Sequence, residues 1–477
     1  MTLCKRLVAR LDIKGKKLIK GLRFEGLRVI GDPYEFAIKY ANNGADELLY
    51  IDAVASLYGR NSLSEVLRQT SKEIFVPITA GGGIRSVEDA SKLLAAGADK
   101  IAINTAAILR PKLITELSKN FGSQCVVASI QASRKNKSQV WEALTDGGRE
   151  RSSIDVIKWC IKLQELGAGE ILLTSVDKDG TCDGPDNDLI SILSRYISIP
   201  LVVGGGFSSK SEIKHSFQNE SVSAVSIGAA LHKNKLNILD IKNDLIINKI
   251  PIRPVKSDKG NIFKSKPLNN LKIGIIDYGM GNLQSLINAL NFLGCKTIVS
   301  FKSDDLSNCD ILALPGVGAF PKGMNEIRVR GLDTFICERV RKGKPILGIC
   351  LGMQLLFKYS EEFSKTNGLG LIDGYVSCMP IKDTNKQPLV LPHMGWNLLT
   401  PNFENSEKFH NSNQYFVHSY SAMQVKDSSI SYTSNYGGHK IIAGVKEGNV
   451  AGLQFHPERS GEDGLLILCD VIKKLFL

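Results

Sequence analysis

A strand that ends in three glycines occurs twice in this chain, as VPITAGGG from residue 76 and as IPLVVGGG from residue 199, 123 residues apart. The runs that follow them also match: IAINTAA from 101 and VSIGAAL from 225, 124 residues apart. IDAVAS from 51 and SVDKDG from 175 hold comparable places. Around these pairs, eight short β-branched or apolar runs recur at 6–13, 47–53, 76–83, 100–105, 125–133, 170–177, 199–206 and 224–230. Helical stretches such as SVEDASKLLAAGADK (86–100) separate them. Buried parallel strands read as continuous apolar runs, and alternation with helices implies a parallel sheet. Eight such units predict a (β/α)8 TIM barrel over residues 1–250.

Glycine at the C-terminal end of a strand lets backbone N–H groups converge on an anion. A single GGG reads as a tight turn. Two at matching places in a repeat read as two phosphate cradles on opposite sides of one barrel mouth, and so imply a long substrate with a phosphate at each end. The net charge of +12 suits either a lysine-rich solvated surface or attraction of such an anion. No basic stripe with interleaved aromatics points to nucleic acid. Catalytic groups belong at strand ends near the mouth. The first strand offers Asp12 there. The equivalent place in the second half, 119 residues on, carries Gln131, an amide where an acid–base pair wants a second acid.

Residues 251–270, PIRPVKSDKGNIFKSKPLNN, are polar, basic and Pro/Gly-bearing, and read as a linker. From 271 to 477 a second α/β pattern follows, expected to form an open, mostly parallel sheet. KIGIIDYGMGNLQSLINALNFLG reads as strand, Gly-rich turn and helix, and DILALPGVGAF as a strand running into a turn. In KPILGICLGMQLLF, glycines stand two before and two after Cys350. That spacing between a strand and a helix is a nucleophile elbow, with the helix N-terminus aimed at the sulfur. A thiolate needs a base, and AGLQFHPERS supplies His456 with Glu458 to orient it. Backbone amides of Gly316, Val317 and Gly318 are placed to form an oxyanion hole.

No apolar run reaches the roughly 18 residues of a membrane span. The start, MTLCKRLVARLDIKGKK, has no signal-peptide core and runs straight into a strand. Ten scattered cysteines without a C-x-x-C pair argue against zinc and disulfides, and fit thiols kept reduced in a cytoplasm. No metal and no cofactor is expected.

The motifs DYGMGNL, LPGVGAF, GICLGMQLL, PHMGWN, YFVHSY and HPERS resemble the class I glutamine amidotransferases, most of all the glutaminase subunit of imidazole glycerol phosphate synthase. RLDIKGKKLIKGLRFEGLR, TAGGGIRSVEDA, GADKIAINTAA, FGSQ and GAGEILLTSVDKDGT resemble the cyclase subunit of the same enzyme. The resemblance implies a Cys350–His456–Glu458 triad that frees ammonia from glutamine, with Gln354 and the PGVG backbone holding that substrate. It implies a bisphosphate ribonucleotide in the barrel, phosphoribulosyl-formimino-aminoimidazole-carboxamide ribonucleotide. Ammonia would convert it to imidazole glycerol phosphate and aminoimidazole-carboxamide ribonucleotide, the fifth step of histidine synthesis. Matched motif by motif, Gly82, Gly83, Asn104 and Thr105 hold one phosphate, Asp179, Gly180, Gly205 and Gly206 surround the other, and Lys20 rides on a mobile first loop.

Charged residues at strand starts, Arg6, Glu47, Lys100 and Glu170, read by themselves as solvated caps; the resemblance makes them an ammonia gate at the barrel bottom. Asp99 and Trp396 match docking positions between the two parts. Two departures stand out. The familiar eukaryotic fusion has the glutaminase first, and here it is last, joined by a linker able to span about 70 Å extended. Gln131 replaces the second catalytic Asp of the cyclase. That leaves an alternative: a cyclase-inactive look-alike passing ammonia to a downstream sugar amidotransferase of surface polysaccharide.

Overall fold

A computed structural model describes residues 3–55, 63–136, 138–255, 268–402 and 412–476. Eight strands of the first half are β1 (Arg6–Lys14), β2 (Glu47–Asp52), β3 (Ile78–Gly81), β4 (Lys100–Ile103), β5 (Val126–Arg134), β6 (Glu170–Ser175), β7 (Leu201–Gly204) and β8 (Val222–Ile227). Each pairs in parallel with the next, and β8 pairs with β1, so the sheet closes into the expected barrel. Successive side chains alternate between the two faces of a strand. One set, Val8, Leu49, Ala102, Val127, Leu172, Val202 and Ala224, fills the barrel interior. The other packs outward against the helices.

Local chemistry sets the helices. In Val87–Ala95 the Ser86 hydroxyl accepts from the Asp89 N–H, acidic residues occupy the first turn, and Lys92 sits in the last. Those choices satisfy orphan amides and complement the helix dipole. Ala90, Leu93 and Leu94 form the buried stripe. Two antiparallel hairpins lie outside the eight-fold pattern: Lys17–Leu22 with Glu25–Gly31 after β1, and Trp141–Thr145 with Glu150–Asp155 after β5.

The second half is built on an eight-stranded sheet. Strands Lys296–Ser300, Lys272–Ile276, Ile311–Leu314, Ile346–Ile349 and Val450–Leu453 run parallel in that spatial order. His439–Glu447, Ile430–Tyr436 and Thr400–Pro401 extend it antiparallel. Ile311, Ala313, Leu347 and Ile349 pack on one face, and Leu312, Leu314 and Ile346 on the other. A separate two-stranded ribbon, His393–Leu398 with Asn413–His418, turns toward the barrel.

Of the expected linker, 251–255 lie on the barrel: Ile252 bridges to Lys5, and Arg253 Nε donates to Asp46 at 2.8 Å. Residues 256–267 lie outside the described residues. The chain resumes at Leu268, which is buried against the second sheet. The ribbon meets the barrel where Cys4 N donates to Trp396 O at 3.0 Å, Trp396 Nε1 donates to Asp46 O at 3.1 Å, and Arg253 stacks on the Trp396 ring. Trp396, one of the two expected docking positions, lies at this contact; Asp99, the other, meets Arg459 and Asn282 of the second half.

Candidate active site

Strand Ile346–Ile349 ends at Cys350, whose backbone takes φ 54° and ψ −111°. A positive φ is costly for a residue with a Cβ, and such strain gathers at functional sites. The flanking glycines make the turn possible. A Cβ on Gly352 would stand 1.6 Å from Leu314 O, and one on Gly348 2.6 Å from Gly352 O. The helix that follows is only Leu351–Leu355, so its dipole is small.

His456 Nδ1 lies 2.7 Å from Glu458 Oε1, and both side chains are buried. Burial opposes a charged imidazole. The sulfur of Cys350 and the carboxylate of Glu458 outweigh it and raise His456 well above its ordinary range. His456 Nε2 meets hydrogen-bond geometry with none of the described groups, although Cys350 is the ring's strongest charge partner.

Gly316, Val317 and Gly318 lie beside the elbow. In this conformation Gly316 offers its carbonyl, which accepts from Leu351 N at 3.3 Å. The N–H after Cys350, the usual first oxyanion donor of an elbow, is therefore engaged. Gln354 Nε2 donates to Tyr420 O and to Gln454 Oε1, both at 3.0 Å. With both amide hydrogens committed, only its carbonyl oxygen remains for a ligand.

At the opposite end of the barrel, a cavity of about 220 Å³ is lined by Gly82, Gly83, Asn104, Thr105, Ser129 and Gln131. Gln131 is 7% exposed, and its Oε1 has no hydrogen-bond partner among the described residues. Gly180, Gly205 and Gly206 line a second, much smaller cavity with Asp179 and Arg10. A Cβ on Gly206 would lie 2.0 Å from Gly184 O, so close backbone approach requires glycine there. The first hairpin packs down over this cradle: Arg23 N donates to Asp179 O at 2.8 Å, and Lys20 Nζ pairs with Asp179 at 2.8 Å.

Asp12 is clamped between two cations, Arg10 Nε at 2.8 Å and Lys20 Nζ at 2.8 Å. Burial pushes its carboxyl up, but Arg10 and Lys20 outweigh burial and hold it well below the ordinary carboxylate range. Ser133, two residues after Gln131, donates to Asp177 at 3.0 Å. Arg10 escaped the sequence reading, although it stands two residues before Asp12 on one strand, where period two places both on the same face.

Arg6, Glu47, Lys100 and Glu170 are all buried, which corrects their reading as solvated caps. They come from four strands and compensate one another. Arg6 contacts Glu47 at 2.7 Å and also Glu170; Lys100 reaches Glu47 at 2.7 Å and Glu170 at 2.6 Å. Lys100 Nζ also touches Met394 Sδ of the ribbon, at 3.8 Å. Between this ring and the triad lies a cavity of about 20 Å³, lined by Lys100, Cys125, Val317, His456 and Glu458 among others. That is room for one water-sized molecule.

Fold and site together define a class I glutamine amidotransferase joined to a barrel of the histidine-biosynthesis type. Residues 6–237 match the family described as "Histidine biosynthesis protein", and residues 274–471 match "Glutamine amidotransferase class-I". The chain is 56% identical over 201 residues to the imidazole glycerol phosphate synthase subunit HisF of Legionella pneumophila, covering 42% of this chain and 94% of that protein. It is 44% identical over 250 residues to the subunit of that name from Prochlorococcus marinus strain MIT 9215, covering 52% and 98%. The corresponding Lactococcus lactis subunit is 41% identical over 256 residues, covering 54% and 99%. The chain belongs to the imidazole glycerol phosphate synthase family, with cyclase-type and glutaminase-type parts fused in one polypeptide. Among the described residues, no helix is long and apolar enough to cross a membrane.

Proposed function

We propose that this chain is a glutamine-dependent imidazole glycerol phosphate synthase, with units at 1–250 and 271–477 working in a cytoplasm. Cys350 attacks the side-chain carbonyl of glutamine, His456 carries the proton to the departing ammonia, and water releases glutamate from the thioester. Glu458 holds the imidazole. Gly316 must first withdraw its carbonyl, freeing Leu351 N–H to receive the oxyanion together with Val317 N–H. Ammonia then crosses the ring of Arg6, Glu47, Lys100 and Glu170 and reaches the bisphosphate ribonucleotide held at the two glycine cradles. Asp12 acts there as the base. The observation that supports the reading most is that His456 and Glu458 line one small cavity together with Lys100 of the ring.

One pair of observations favours a second reading. Asp12 is locked as a carboxylate, and Gln131 presents an unpartnered carbonyl where the family has an acid. Loss of a general acid or base lowers rate by about 10²–10⁴-fold. A barrel so limited would pass ammonia to another acceptor, such as a sugar amidotransferase. The deciding experiment is growth of a histidine auxotroph lacking both cyclase and glutaminase, given this chain or its Gln131→Asp variant. Growth on the native chain supports the synthase. Growth on the variant alone supports ammonia supply. Growth on neither, with glutamate release intact and dependent on Cys350, excludes the cyclase.

A further inference from the structure

Gln454 is wholly buried and stands two residues before His456, at the end of strand Val450–Leu453. Its backbone N–H is already used, donating to Ala443 O at 2.9 Å. Its side-chain carbonyl accepts from Gln354 Nε2 at 3.0 Å. That single contact decides which end of the amide faces which way. The Nε2 end is turned to Cys350 Sγ, at 3.9 Å, within hydrogen-bond reach of sulfur.

We propose that Gln454 is a positioning residue of the glutaminase site, one amide that both orients Gln354 toward glutamine and donates a hydrogen bond to the Cys350 sulfur. This rests on the nucleophilic role given to Cys350 above. A hydrogen bond to an ionised acceptor is roughly twice as strong as a neutral one, and the thiolate is the nucleophile. The short helix after the elbow contributes little dipole, so a side-chain donor matters more here. Gln454 also ties substrate to nucleophile. Tyr420 O and Gln454 Oε1 take both hydrogens of the Gln354 amide, which leaves its oxygen to accept from the ammonium group of glutamine. A ligand that pulls on Gln354 thereby pulls on the amide that touches the sulfur.

The alternative is a core glutamine satisfied by its neighbours and indifferent to sulfur chemistry. Alkylation separates the two. The full chain is treated with iodoacetamide across neutral to alkaline pH, and the Cys350 adduct is followed by peptide mass, apart from the other nine cysteines. Gln454→Met keeps volume and removes the donor. It should slow Cys350 alkylation about tenfold at neutral pH and move the pH profile up by about one unit, with the alkaline plateau retained. Its glutaminase kcat should fall, and KM should rise because Gln354 has lost its acceptor. Should Gln454→Met fail to fold, Gln454→Asn withdraws the amide from the sulfur by one methylene, and its profile must shift the same way. A profile superimposed on that of the native chain in the folded variant overturns the proposal. Absence of glutamine turnover in the native chain would instead sink the glutaminase reading, and the alkylation profiles would still decide the Gln454–Cys350 contact.

Discussion

Arg459 and Asp99 form an ion pair, Nε to Oδ2 at 2.8 Å, across 360 residues of sequence. Arg459 follows Glu458 directly in a single helical turn, and its other guanidinium nitrogens donate to Gly97 O at 2.6 Å and Ile74 O at 3.0 Å. Asp99 also accepts from Asn282 Nδ2 at 3.0 Å. The carboxylate that orients His456 is therefore anchored through its neighbour to the bottom of the barrel.

Cutting that anchor should uncouple the two halves. In Arg459→Met, glutamine-dependent synthesis is expected to fall at least tenfold, while synthesis from added ammonium salt stays near the native rate. Removing one partner of a buried pair also costs about 3–5 kcal/mol, so a lower unfolding midpoint should accompany it. Equal loss with both nitrogen sources would mean that the pair serves stability alone.

Three buried histidines predict the acid limit of stability. Burial lowers His232 and His418 from 6.5 to about 4, and holds His393 well below 6.5. His393 and His418 share a hydrogen bond of 3.0 Å, and His232 meets Tyr40 at 2.7 Å, contacts suited to neutral rings. Unfolded histidine takes up a proton near 6.5 and these do not, so the unfolded state binds more protons between about 6.5 and 4. Stability is full above that window and drains as pH falls through it, by up to about 1.4 kcal/mol per pH unit for each histidine. Urea midpoints measured at points from pH 7 to 4 should show the decline, and His232→Asn should flatten it. A flat curve through the window would refute the assignment.

Arg10 sets where the barrel loses activity in acid. Asp12 must be ionised to act as a base, and Arg10 and Lys20 keep it so against its burial. In Arg10→Met one clamp is gone and the Asp12 carboxyl rises toward its ordinary range. At a fixed concentration of free ammonia, the acid limb of the rate should therefore begin at higher pH, with the alkaline side unmoved. An unshifted acid limb would remove Asp12 from the role of base.

Much of this was legible in one sequence because it is local. The apolar runs at 6–13 and 125–133 became β1 and β5 within a residue or so. The glycines around Cys350 announced an elbow because backbone contact there leaves no room for a Cβ. Relationships between distant segments were not legible. Nothing near Arg459 points to Asp99, and nothing near Lys100 says that Glu47 and Glu170 will surround it, so isolated charges at strand starts read as solvated caps. The three-stranded antiparallel extension of the second sheet was also hidden. Strands such as His439–Glu447 are short-range hairpin partners whose order in the sheet depends on the parallel core already being in place.

The proposed function requires that nitrogen released at Cys350 be used in the barrel of the same chain. Glutamine labelled with ¹⁵N in its side-chain amide, supplied with the bisphosphate ribonucleotide and an excess of unlabelled ammonium at a pH where ammonia is mostly protonated, tests it directly. The expected product is imidazole glycerol phosphate that carries the label at nearly the enrichment of the glutamine, with no glutamine-dependent product from Cys350→Ser. Product diluted to the isotopic composition of the bulk ammonium would contradict it.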